Sequence, residues 1–282
     1  MKKIFPILLF IIHFTVLIRA QEVFLSKNII KKWETTAQFQ TPESVKFDES
    51  RNLLYVSNIN GNPSEKDGNG FISKLSPEGK ILNLQWVKGL DAPKGMGILK
   101  DHLFVTNITE IVEIDITSGK ILKHYPVKGS AFLNDIDIDA MGVVYISDSG
   151  KGKVFRMTNG KVEEWLHGPS YEGANGLFCS GSTLYIGTRN ALLAVQISSR
   201  KSTVFCENTG SIDGLESAGK DTFLISDWSG SIYKVSKNSQ KDLLLNSSSL
   251  KINAADIEYI PARHLLLVPT FSDNRVMAYE IK

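Results

Sequence analysis

The sequence predicts an all-β fold: a six-bladed β-propeller with four-stranded blades, its ring closed by an N-terminal strand. Three observations predict it. A two-strand pattern recurs six times, each of several copies continues into two more strand-like segments, and one early strand has no hairpin partner of its own. The clearest copy is FLNDIDIDAMGVVYISDSG, residues 132–150. Asn134, Ile136 and Ile138 alternate with Asp135 and Asp137, the period of two that puts successive side chains on opposite faces of a strand. Asp139-Ala140-Met141-Gly142 has turn chemistry, and Val143-Val144-Tyr145-Ile146 is a β-branched and aromatic second strand.

The pattern returns upstream at 42–58 and 93–107 and downstream at 173–190, 211–230 and 254–274, with equivalent positions at 43, 94, 134, 175, 213 and 256. Beyond the hairpins lie EIVEIDI and ILKHYPV in the second unit, KVFRMT and KVEEWL in the third, ALLAVQI and STVFCE in the fourth. Four short strands per ~40 residues is the signature of propeller blades. Leucine-rich and helical repeats of similar length need helix periodicity, which is absent. The segment IIKKWETTAQF precedes the first copy and is expected to complete the last, which ends in VMAYEI. Without it the ring would expose an unpaired strand edge. The first unit carries an insertion, NINGNPSEKDGNGF at 58–71, whose Gly, Asn and Asp content marks a loop, either a binding loop on a rigid scaffold or a plain hairpin extension.

Met1-Lys2-Lys3, an apolar run over 4–18 broken by His13 and Thr15, and then Arg19-Ala20-Gln21 form the pattern of a secretory signal peptide. The run is shorter than the ~20 residues of a membrane-spanning helix. The expected organisation is therefore a signal peptide over 1–20 and a single propeller domain over 21–282. The mature protein is expected to be exported, periplasmic or secreted, with no membrane attachment after cleavage. Loss of Lys2, Lys3 and Arg19 leaves 29 basic against 30 acidic residues, so no broad basic field exists for nucleic acid. Cys179 and Cys206 fall on the first and last strands of one blade, about 14 Å apart at ~4.8 Å per strand. A disulfide needs Cα atoms within ~7 Å, so two thiols are expected.

First strands of propeller blades start around the central channel. The residues at those starts are Glu43, Lys94, Asn134, Asn175, Asp213 and Asp256. Three carboxylates, two amides and one ammonium thus face a common point, and hard oxygen donors of this kind suit calcium better than zinc. Taken singly, Asn175-Gly176 and Asp213-Gly214 read as turn dipeptides, as such pairs mostly are. Six polar residues in register make the ring.

The strings PES, LNDIDID, ANGL and DGL, with second-strand endings SN, SDS and SDW, resemble the senescence-marker-protein, gluconolactonase and paraoxonase family from about Thr41 onward. The resemblance implies a six-bladed propeller holding one catalytic Ca²⁺ through Glu43, Asn134, Asn175 and Asp213, and hydrolysis of lactones, esters or organophosphates. Two departures stand out. Lys94 occupies the ring position of the second blade. It either pairs with Glu43 or Asp256 and closes the site, or reaches toward the substrate and stabilises an oxyanion. The second is expected, because the carboxylates outnumber the one cation. A deeper structural calcium, held in paraoxonase-like members by acidic residues after the first- and third-blade ligands, finds Asp135 but meets Ser44.

On this reading the metal acts as a Lewis acid, Asp213 or Asp256 takes a proton or attacks directly, and His167 is a further candidate on the ring side. His102 and His264 open second strands on the opposite face, and His124 lies in a fourth strand. Trp228 and Phe271 are expected over the same mouth. The function expected is an exported calcium-dependent hydrolase acting on a small-molecule lactone or ester. The alternative is a non-catalytic propeller binding a ligand, glycan or partner protein, since the fold hosts both. Calcium storage through Asp135, Asp137 and Asp139 fails, because an EF-hand loop needs Gly and Glu where Ala140 and Ile146 stand.

Overall fold

The computed structural model describes residues 22–237 and 241–282, so the segment 1–20, expected to be a signal peptide, lies outside the described residues. Six antiparallel sheets form a ring. Blade 1 is Pro42–Asp48, Leu53–Asn58, Gly70–Leu75 and Ile81–Leu90; blade 2 is Pro93–Leu99, His102–Asn107, Glu110–Asp115 and Ile121–Pro126. Blade 3 is Leu133–Ile138, Val144–Asp148, Lys153–Thr158 and Lys161–His167; blade 4 is Leu177–Ser180, Thr183–Gly187, Ala191–Gln196 and Ser202–Glu207. Blade 5 is Leu215–Ser217, Thr222–Asp227, Ser231–Ser236 and Lys241–Asn246, and blade 6 opens with Glu258–Ile260, Leu265–Pro269 and Val276–Ile281. The first strand of every blade contacts the first strands on both sides, which makes these six the lining of the channel.

Ile29–Glu34 pairs antiparallel with Val276–Ile281 and supplies the outermost strand of blade 6, as the unpartnered N-terminal strand requires. The chain also pins itself earlier. Phe24–Leu25 adds a fifth strand to blade 5 against Lys241–Asn246, which the sequence pattern does not announce because two residues carry no periodicity.

Apolar side chains of neighbouring blades meet between the sheets. Val45, Leu54, Val56 and Leu75 of blade 1 pack with Ile260, Leu265, Leu267, Val276 and Ala278 of blade 6, so the closure is a buried interface as well as a hydrogen-bonded seam. No disulfide joins Cys179 and Cys206, which sit on the first and fourth strands of blade 4.

Candidate functional site

Three blades share one irregularity at the channel. The ladder between first and second strands slips between Pro42 and Val45, between Pro93 and Met96, and between Leu133 and Ile136. Each slip brackets a ring residue: Glu43, Lys94 and Asn134. A bulge re-aims a side chain and leaves a backbone N–H without its ladder acceptor. Second-strand hydroxyls take up that role. Ser44 N donates to Ser57 Oγ at 3.0 Å, Asp135 N to Ser147 Oγ at 2.9 Å, and in blade 5 Gly214 N to Ser226 Oγ at 2.7 Å. Ser226 then donates to Ala255 O of blade 6 at 2.7 Å, and Thr106 donates to Asn134 O of blade 3 at 2.6 Å. The endings SN, SDS and SDW are therefore the braces of the ring.

The next residue of those endings anchors the chain leading into the ring. Asn58 accepts from Gln40 N, Asn107 from Asp91 N and Ala92 N, and Asp148 from Ala131 N and Phe132 N. Glycines set how closely blades approach. A Cβ on Gly176 would lie 2.6 Å from Asp213 O, and one on Gly214 would lie 2.3 Å from Ile257 N. Both glycines follow a ring residue. The dipeptides Asn175-Gly176 and Asp213-Gly214 are thus close-approach positions between blades, and neither glycine has a positive φ.

Glu43, Lys94, Asn134, Asn175 and Asp213 line one pocket of about 330 Å³. Its remaining lining is Ser211 and five apolar residues: Ile59, Pro63, Phe132, Trp228 and Phe271. Asn175 Nδ2 donates to Asp213 Oδ1 at 2.6 Å, and Asn134 Nδ2 donates to Ser149 Oγ at 3.2 Å. Glu43 Oε2 and Asn175 Oδ1 are buried with no hydrogen-bond partner. Burial, then the Asp213 carboxylate beside it, raises the Glu43 carboxyl well above the usual range, while Lys94 pulls the other way. Burial also pushes Asp213 up to about 7 against the hydrogen bond from Asn175.

Lys94 is 1% exposed. Its Nζ donates to Pro63 O and Ala92 O, both at 3.0 Å, and lies 4.3 Å from the Phe132 ring centroid. Its hydrogen bonds thus go to the insertion loop and its own blade rather than to Glu43 or Asp256. Burial lowers its pKa to about 8, with Glu43 opposing. The insertion folds over toward blade 2: Lys66 Nζ reaches Thr109 Oγ1 at 3.0 Å and Asp91 Oδ1 accepts from Gly68 N at 3.1 Å.

Two sequence candidates lie elsewhere. Asp256 accepts from Ser44 Oγ at 2.6 Å and lines a separate small cavity with Asp135, Glu216 and Glu258 rather than the pocket. His167 is 73% exposed, pairs with Glu164 at 2.8 Å, and is not part of the pocket lining. The sequence reading missed the group below the ring, where Lys46 Nζ lies 2.8 Å from Glu258 and 3.7 Å from Glu216. Its partners come from blades 5 and 6, and the register slip between Pro42 and Val45 breaks the alternation that would have placed Lys46.

No cluster of three or more His, Cys, Asp or Glu side chains placed to hold a metal occurs among the described residues. Two of the four candidate ligands, Asn134 and Asn175, are amides, so the ring is a different donor set. No helix among the described residues is long and apolar enough to cross a membrane.

The sequence matches no protein-family model and no curated protein. Solved structures share the fold. A gluconolactonase from Xanthomonas campestris is similar at 14% identity and TM-score 0.65, over 87% of this chain and 88% of that one. A catalytically inactive virginiamycin B lyase from Staphylococcus aureus, solved with quinupristin, is similar at 13% identity and TM-score 0.63, over 93% and 100%. The nidogen–laminin complex contains a chain similar at 16% identity and TM-score 0.61, over 73% and 80%. At these identities the likeness is one of fold.

Proposed function

We propose that the protein is an exported calcium-dependent hydrolase of lactones or related esters, of the gluconolactonase and paraoxonase type, with its site at the mouth of the channel. The observation that carries this reading is the pair of buried acceptors without a donor, Glu43 Oε2 and Asn175 Oδ1, on two of the four candidate ligands. A buried acceptor left unmatched costs free energy, and a hard cation is the species that satisfies several at once. Glu43, Asn134, Asn175 and Asp213 are the residues that would hold calcium. When bound, calcium supplies Lewis acidity toward a carbonyl oxygen and charge that keeps the carboxylates ionised.

The chain's own groups account for the remaining work. Asp213 lines the pocket with one oxygen engaged by Asn175, and in this reading its carboxylate accepts a proton from the attacking water. Asp256 is held by Ser44 in the separate cavity, so it supports the ring from below. An ammonium has three donors, and Lys94 places two on carbonyls. The third is available to a developing oxyanion, the electrostatic assistance acyl transfer needs. The gluconolactonase and the lyase among the fold neighbours give two enzymes on the same frame.

One observation favours the alternative, a propeller that binds without catalysis: no histidine lines the pocket. Thermal unfolding with and without calcium, on wild type and Glu43→Gln, tests the metal. Calcium is expected to raise the wild-type midpoint by several degrees through mass action and the variant's by much less. An equal response of the two removes the metal site and the hydrolase with it. A screen of simple lactones and aryl esters then separates enzyme from binder.

A further inference from the structure

The pocket is built in two chemically distinct halves. Polar groups gather at its floor, in the ring. Its walls are Ile59, Pro63, Phe132, Trp228 and Phe271, contributed by blades 1, 3, 5 and 6. Trp228 and Phe271 meet edge to face, with ring centroids 5.4 Å apart and planes at 77°. This geometry is favourable for two aromatic rings.

The pair is held in place from behind. Asn253, itself buried, donates from Nδ2 to Trp228 O at 2.9 Å and accepts at Oδ1 from Ser272 N at 3.3 Å. One amide thus ties the loop of blade 5 carrying Trp228 to the loop of blade 6 carrying Phe271. Phe271 has φ 47°, a left-handed conformation that an aromatic residue adopts only when its surroundings enforce it. Trp228 remains 49% exposed even so. A large aromatic surface is therefore kept in water, in a fixed pose, at the opening of the candidate site.

We propose that the pocket selects an apolar lactone or ester, one carrying an alkyl chain or an aryl group, over a polyhydroxylated sugar lactone. This rests on the hydrolase reading above and names its substrate class. Each sugar hydroxyl carried between these walls would lose water without gaining a partner, and burying an unpaired hydroxyl penalises binding. Above the ring the lining offers the single hydroxyl of Ser211. An alkyl chain or aryl ring instead covers Trp228 and Phe271 while the carbonyl reaches the floor. Asn253 is a positioning residue in this scheme, and Trp228 and Phe271 set specificity.

The test uses the mature chain with two probes, a twelve-carbon δ-lactone and glucono-δ-lactone. Hydrolysis is followed with calcium, and binding is followed by tryptophan fluorescence in chelator, with Trp228→Phe to assign the signal. The expected result is kcat/KM at least 100-fold higher for the apolar lactone. Phe271→Ala should raise KM for that lactone about tenfold with kcat little changed, the mark of lost uniform binding. Asn253→Ala should raise KM severalfold in the same way. Both variants must keep the wild-type circular dichroism spectrum, and Phe271→Leu should restore most of the affinity. Equal or better hydrolysis of glucono-δ-lactone overturns the proposal and leaves the hydrolase intact. Binding of the apolar lactone through Trp228 without turnover of either probe supports the apolar pocket and removes the hydrolase. Absence of both binding and turnover with the apolar lactone overturns the proposal.

Discussion

Asn175 and Asp213, on neighbouring blades, are joined by a 2.6 Å hydrogen bond from the amide nitrogen of one to the carboxylate of the other. Donating that nitrogen fixes which end of the Asn175 amide is left over, and the remaining oxygen is buried without a partner. Asn175 therefore does two things at once: it orients Asp213 and it presents a bare acceptor.

Asn175→Ala removes both. Calcium affinity is expected to fall between ten- and a hundredfold, about 1.4 to 2.7 kcal/mol. Isothermal titration calorimetry measures it directly. An affinity within twofold of wild type means that Asn175 holds no ion.

Lys94→Met keeps the length of the side chain and removes the ammonium. Pro63 O and Ala92 O lose their donor, which is expected to cost about 1–3 kcal/mol of stability. Calcium affinity should rise or hold, because a like charge has left the neighbourhood of Glu43. Turnover should fall by about a hundredfold if the third N–H meets the oxyanion. Unchanged turnover would reduce Lys94 to a clasp for the insertion loop.

Gly214→Ala tests the spacing of blades 5 and 6. The added Cβ would meet Ile257 N at 2.3 Å, where the backbone has no flexible end to yield. A loss of about 3 kcal/mol is expected in denaturant unfolding, the upper end of overpacking effects. Gly181→Ala is the control: nothing lies within 4 Å of its Cβ, though its φ of 57° still strains an alanine. It should lose only about 1 kcal/mol.

Below the ring, Glu216 titrates well above its ordinary value, first because it is buried and second because Glu258 faces it, with Lys46 opposing. A carboxyl whose folded pKa is raised contributes stability that is complete below the unfolded value, about 4.3, and is lost as pH rises through the folded value. Glu216→Gln removes that loss while Lys46 keeps Glu258 at 2.8 Å. The variant should therefore melt higher than wild type at pH 8, by about 2–4 °C for each kcal/mol regained, and the difference should shrink toward pH 5. A constant difference across that range would refute the assignment.

Much of the architecture was legible because it repeats. Period-two alternation, turn residues and a polar residue at each first-strand start recur in every unit, so each weak local signal is read six times. The closing strand followed from ring geometry, since a propeller with a free edge would aggregate. Phe24–Leu25 escaped for the opposite reason, being two residues with no repeat to support them.

Spacing along the chain set the number of blades, the seam that closes them and the residues brought to the channel. These depend on spacing along one chain, which strand periodicity fixes. Tertiary structure alone decided what those residues face. It turned Lys94 onto Pro63 and Ala92, set Asp256 under Ser44 in a separate cavity, left His167 on the surface beside Glu164, and brought Trp228 against Phe271. Apart from His167 and Glu164, three residues apart in one strand, these contacts join residues from different blades or from loops, and no local pattern encodes a partner whose distance along the chain is set by the closure of the ring.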